Sequence, residues 1–305
     1  MIAKKNFKSE QELGAASTEI KNIIENITKE YGEGVITTLG ESKLKAQKTL
    51  STGSLLLDQA IGTSGYVCGK IVEIFGLESS GKSTLALHAV SECQKSGKKA
   101  AYIDLENGLD IKYVRNIGVK IEDLIIAYPS SGEEGFEIIS KLIKGGIDLI
   151  IVDSVSNLIP RSQLEANLEK HKIGNPETTT GGMALNFDAD LRIKLKRKDK
   201  IEKNNELIGI EVEARIVKNK LAAPGKIANL EIIFAQGIQK EREIIDLATE
   251  LNVIQKSGTW YSYEEKKLGQ GKENVTEYLL ENPELYQEIE KIIIETINNH
   301  QGYAD

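Results

Sequence analysis

The chain has 305 residues, 40% hydrophobic and 28% charged, with a net charge of -7 from 39 basic and 46 acidic side chains. At roughly 150 residues per domain that length fits about two domains, and the composition excludes a disordered or membrane-spanning chain. Cys68 and Cys93 are too few for a disulfide framework, and His88, His171 and His300 lack cysteine partners at zinc spacing. The start, Met1 to Glu10, runs on without the apolar core of a signal peptide, and no stretch is long and apolar enough to span a bilayer. A cytoplasmic protein with no membrane partner is expected. The acidic balance argues against binding nucleic acid by bulk charge and leaves a local basic groove open.

Leu13, Ile20, Ile23, Ile24, Ile27 and Tyr31 recur at helical spacing and predict a helix over 9–31, stopped by Gly32 and Gly34. From Lys70 short apolar runs alternate with amphipathic stretches. Strands are expected at 71–75, 100–105, 124–127 and 149–152, with helices at 83–95, 111–117 and 132–143 between them. That alternation reads as βαβ units on a parallel sheet. After Gly182, the segments 191–195, 208–217 and 230–234 alternate in character and predict antiparallel strands. The charged end, 241–305, contains amphipathic helices at 241–251 and 282–297.

One motif carries chemistry on its own. Gly76, Leu77, Glu78, Ser79, Ser80, Gly81, Lys82 and Ser83 fit G-x-x-x-x-G-K-[ST], followed by Thr84, between a strand and a helix. Backbone N–H groups of such a loop form an anion nest, and the helix N-terminus adds partial positive charge. Lys82 would neutralise phosphates and Ser83 would complete a Mg²⁺ shell. Asp153 ends an apolar strand where ligands of parallel sheets bind. It suits an acid oriented toward Mg²⁺, the alternative being a strand-end cap on the next turn. Asp104 and Glu106 end the neighbouring strand, where a carboxylate can take a proton from water or simply cap a helix.

With these residues in view, the chain resembles the bacterial RecA recombinase family over nearly its whole length. The matching stretches are Ser51–Asp58, Gly69–Ser83, Tyr102–Glu106, Val152–Ser154, Gly174–Gly182, Val217–Pro224 and Gly258–Tyr263. The run Asn-Pro-Glu-Thr-Thr-Thr-Gly-Gly is the most specific of them and argues against an unrelated P-loop phosphotransferase. The resemblance implies an α/β fold, with a RecA-like P-loop NTPase core and a mostly parallel central sheet. It adds an N-terminal oligomerisation helix and linker over 1–40, a core over 41–240 and a small α+β C-terminal domain over 241–305. It further implies a DNA-dependent ATPase using ATP and Mg²⁺, filaments on single-stranded DNA, exchange with duplex DNA, DNA repair, and the SOS response through a LexA-type repressor. Glu106 matches the residue that activates water, and Asp110 and Tyr113 those that hold adenine. Lys218 and Lys220 match lysines that reach the neighbouring subunit's ATP, and Phe187 an interface aromatic preceded here by Asn186. Thr178, Thr179, Thr180, Gly181 and Gly182 fall in a DNA-binding loop. Trp260, Tyr261 and Tyr263 are expected to be core.

The sequence departs from the family between Asp153 and Thr178. A helix and an apolar strand, ending in a glutamine that senses the γ-phosphate, give way here to the polar stretch 161–173. That strand belongs between the phosphate-loop strand and the Asp153 strand. Its loss implies either that those two close directly on each other or that the chain is an internally deleted copy with impaired coupling of ATP turnover to DNA. Arg192, Lys194, Lys196, Arg197, Lys198 and Lys200 form a basic run, with 192, 194, 196 and 198 sharing a face. It reads either as a phosphate-tracking strip or as a solvated, lysine-protected edge.

Overall fold

The computed structural model describes residues 10–32, 35–36, 48–158, 187–203 and 205–301. The chain divides into two units, Met1–Gln47 and Lys48–Asp305. Helix α1 (Glu10–Tyr31) lies in the first unit, within one residue of its expected start, and its Ile20, Ile23 and Tyr31 are exposed.

The second unit opens with the antiparallel pair β1 (Thr49–Leu50) and β2 (Tyr66–Val67) around α2 (Leu55–Ile61). Ser54 caps α2 by accepting from the Leu57 N–H, and Gly62, at φ 80°, ends it in the left-handed conformation that glycine adopts without strain. The βαβ run then follows the sequence closely: β3 (Val72–Gly76), α3 (Lys82–Lys95), β4 (Ala100–Asp104), α4 (Ile111–Asn116), β5 (Ile125–Ala127), α5 (Gly132–Lys144) and β6 (Leu149–Asp153). Beyond the undescribed 159–186 come β7 (Leu191–Lys203), β8 (Glu206–Asn219), β9 (Ile227–Ile233) and β10 (Gly237–Ile238). These pair antiparallel, as expected, and Leu191, Ile193 and Leu195 turn inward while Arg192 and Lys194 between them do not, the alternation of a sheet with one solvated face.

The C-terminal part has α6 (Lys240–Glu250), the meander β11 (Gln255–Ser257), β12 (Trp260–Tyr263) and β13 (Lys266–Gln270), then α7 (Lys272–Glu281) and α8 (Pro283–Gln301). Tyr261 and Tyr263 are buried in its core with Ile244, Leu247, Val275 and Ile289. Trp260 is 50% exposed, so the expectation of a core aromatic cluster holds for the tyrosines and fails for the tryptophan. Alternation along β12 sends Trp260 to the outer face, where Lys267 lies 6.0 Å from its ring.

The central strands form two sheets. One is parallel, in the order β5-β4-β6, and the other is mixed, in the order β10-β9-β8-β7-β3, with β3 parallel to β7. Among the described residues β3 and β6 are not hydrogen-bonded to each other, so the expected alternative of direct closure is not what these strands adopt. The two strands β4 and β6 differ in burial. All five residues of β4 are buried, whereas apolar Leu149, Ile150, Ile151 and Val152 of β6 are only half-buried. Helix α3 spans the break: Leu85 and Ala89, four residues apart, pack on the mixed sheet's core, while Leu87, Val90 and Cys93 pack with β4 and α4.

Candidate nucleotide site

Gly76 ends β3 where a side chain would not fit: a Cβ there would lie 2.3 Å from the Leu195 carbonyl oxygen of β7. Gly81, at φ 90°, turns the chain into α3 and supplies no side-chain cap, so the first N–H groups of that 14-residue helix face the loop. Lys82 Nζ donates to the carbonyls of Leu77 at 2.9 Å and Gly76 at 3.2 Å, curling over the loop's own concavity. Ser80 Oγ is buried and has no partner among the described residues. An uncapped helix start, an orphaned hydroxyl and an ammonium held by weakly competing carbonyls are the features that accommodate phosphate.

The acid side of the site lies at the carboxyl ends of β4 and β6. Ser83 Oγ donates to Asp153 Oδ2 at 2.5 Å, and Tyr102 OH donates to the same oxygen at 2.6 Å. Burial and this hydrogen bond push the Tyr102 phenol up, so it stays a donor. Tyr102 is a residue that reading the sequence for site chemistry missed. The available signal was its position two residues before Asp104, on the same face of β4. Leu105 N–H donates to the Asp153 carbonyl at 2.7 Å, tying the two strand ends together. Glu106 is exposed, and its backbone N–H donates to Asp104 Oδ1 at 3.1 Å.

The structure places the remaining expected residues as follows. Asp110 caps α4, its Oδ1 accepting from the N–H groups of Lys112 and Tyr113. Tyr113 reaches back to α3, its hydroxyl 2.7 Å from Thr84 Oγ1. Leu77 and Glu78 are exposed on the rim of the loop. Lys218 Nζ donates to the Phe187 carbonyl at 2.8 Å, and Lys220 Nζ to the Asp188 carbonyl at 3.3 Å while lying 3.4 Å from Asp190. Both lysines thus hold the 187–190 turn within this chain. Thr178, Thr179, Thr180, Gly181, Gly182, Asn186 and the stretch 161–173 lie outside the described residues.

The basic run is not a continuous strip. Arg192 pairs with buried Glu73 and stacks on Phe75, and Lys198 binds Glu213 at 2.8 Å. A register shift between Arg197 and Lys200 then breaks the alternation that would align the rest.

A glycine loop between strand and helix, a lysine and serine at its end and an aspartate at the end of a parallel strand, hydrogen-bonded to that serine, define a P-loop nucleotide-binding fold. The RecA N-terminal domain family matches residues 18–174 and 170–239, and the RecA C-terminal domain family matches 242–298. The chain is similar to Protein RecA of Bacillus thuringiensis (strain Al Hakam), 37% identical over 322 positions, which cover 92% of this chain and 93% of that one. Protein RecA of Macrococcus caseolyticus (strain JCSC5402) is 39% identical, with 90% and 89% covered, and that of Lactiplantibacillus pentosus 40%, with 90% and 83%. The chain belongs to the RecA family, the DNA recombinases. The 322 aligned positions exceed the 305 residues of this chain, so the relative carries stretches without a counterpart here. The two N-terminal matches overlap at residues 170–174, at the end of the polar stretch 161–173.

Proposed function

We propose that the chain is an ATP-dependent recombinase that assembles as a helical filament on single-stranded DNA and exchanges it with duplex DNA. The observation that carries this is the Ser83–Asp153 pair beside the phosphate loop, in a chain of RecA sequence. Backbone N–H groups of residues 76–84 would take the phosphates, with Lys82 as counter-charge. Ser83 and Asp153, both oxygen donors, suit Mg²⁺, which would neutralise charge on the transferring phosphoryl group. Glu106 would accept the proton of the attacking water, and its exposure leaves room for that water. Asp110 and Tyr113 would border the adenine. Lys218 and Lys220 would leave their carbonyl partners for the neighbouring subunit's phosphates on assembly, so that the site is completed by polymerisation.

The exposed apolar residues of α1 support a helix that packs on a second copy. Residues 178–182 would contact DNA through backbone N–H and hydroxyl donors to phosphate, which suits sequence-independent binding. The division at 40 and 240, the cytoplasmic location and a LexA-type repressor as partner belong to the same proposal.

A second reading concerns coupling alone, and one observation favours it. Where the family pattern has an apolar strand ending in a glutamine, this sequence has only the polar stretch 161–173. A ligand shifts an equilibrium only by its differential affinity for two states, so losing the coupling element removes DNA stimulation and leaves ATP binding. The comparisons favour the first reading. ATP turnover with and without a long single strand separates the two. Stimulation of about tenfold or more, about 1.4 kcal/mol if it reflects binding, belongs to the working recombinase. Stimulation below about twofold belongs to the uncoupled chain.

A further inference from the structure

Asp104 is the most buried carboxylate at the site, 3% exposed, and the reading above gives it no task. It stands opposite Asp153 in the parallel register of β4 and β6, and in such a pair matched residues face the same way. Tyr102, two residues earlier on that face, places its hydroxyl on Asp153 Oδ2, which fixes the side toward which Asp104 points. The two oxygens of Asp104 differ. Oδ1 accepts from the Glu106 N–H, turning the chain where β4 ends. Oδ2 is buried and meets no donor among the described residues.

A buried carboxylate oxygen without a donor is costly. Sites where such oxygens persist are those in which a ligand supplies the donor. Here the neighbours are an aspartate and a serine whose oxygens suit a hard divalent cation with its bound water. We propose that Asp104 is a positioning residue for that cation: Oδ2 accepts from a cation-bound water beside Asp153, while Oδ1 sets the backbone from which Glu106 projects. One side chain then ties the cation's position to that of the proton acceptor. The proposal rests on the nucleotide-site reading above.

The test is the Mg²⁺ dependence of binding of a fluorescent ATP analogue by the full chain and by Asp104→Asn and Asp104→Glu. Outer-shell partners of metal sites typically contribute about 10–100-fold in metal affinity. Asp104→Asn is therefore expected to raise the Mg²⁺ concentration for half-maximal tight binding by about tenfold, with metal-free analogue affinity unchanged and Asp104→Glu restoring part of the shift. An unchanged Mg²⁺ midpoint overturns the proposal. So does an equal loss of metal-free binding, or failure of both variants to fold, since either makes Asp104 a packing residue of the strand end. Failure of the unsubstituted chain to bind the analogue refutes the nucleotide site itself, a separate outcome.

Discussion

The Ser83 hydroxyl donates to Asp153 Oδ2 at 2.5 Å, joining the helix after the phosphate loop to the end of β6 across the break between the two sheets. The strands themselves do not pair there, so this contact and the two apolar faces of α3 hold the acid beside the loop. The nucleotide site therefore survives in a sheet that is not continuous among the described residues.

Lys82 is the cation within the loop, and its ammonium now rests on two backbone carbonyls. Lys82→Ala is expected to reduce ATP affinity at least tenfold and abolish turnover, read by equilibrium binding and phosphate release. Unchanged affinity and turnover would remove the site from this loop.

Glu106→Gln keeps size and hydrogen bonding but cannot accept a proton. It should retain ATP binding within about twofold and lose about 10²-fold or more of turnover. Normal hydrolysis by this variant would leave Glu106 a strand-end acid and nothing more.

Lys218 and Lys220 bind the carbonyls of Phe187 and Asp188 in this chain, whereas the family pattern puts them on a neighbour's phosphates. Turnover should rise faster than linearly with protein concentration, and Lys220→Ala should flatten that rise. Strict proportionality together with a harmless Lys220→Ala would show that each subunit's site is complete alone.

Glu243 of α6 accepts from Ser54 Oγ at 2.8 Å and from the Leu56 N–H, docking α6 onto the start of α2. Burial pushes its carboxyl up to about 8, and burial also raises nearby Asp58. A raised folded-state value means that the native chain holds a proton the unfolded chain has lost. This contribution to stability is present at low pH and disappears as pH rises toward and through 8. His88 acts in the opposite sense at lower pH, because burial lowers it to about 4. Between about pH 6.5 and 8, therefore, thermal stability should fall with pH, by at most about 1.4 kcal/mol per pH unit from this group, and Glu243→Gln should flatten the slope. An identical slope in the variant, followed by calorimetry, would place the titration elsewhere.

What the sequence made legible was local or periodic. The phosphate loop is a contiguous motif whose glycines answer to backbone geometry, β4 is an apolar run of strand length and α3 an amphipathic stretch of helix length. The antiparallel β7–β9 showed through alternation. Helix α2 escaped because it is a seven-residue segment defined by its Ser54 cap and Gly62 stop. The β11–β13 meander escaped because its exposed Gln255, Lys256 and Ser257 carry no apolar period. Contacts between distant segments, such as Lys218 with Phe187, depend on tertiary placement and had no signature in spacing. The basic run is interrupted for a related reason: strict alternation assumes an unbroken ladder, and the register shift after Arg197 ends it.

On the proposed function, nucleotide binding at the Lys82 loop drives assembly on single-stranded DNA. Electron microscopy of the full chain with a long single strand, ATP and Mg²⁺ tests it most directly. Helical filaments should form with ATP and be absent for Lys82→Ala under the same conditions. Failure of the unsubstituted chain to assemble with any nucleotide, or filaments that form equally well with Lys82→Ala, would contradict the account.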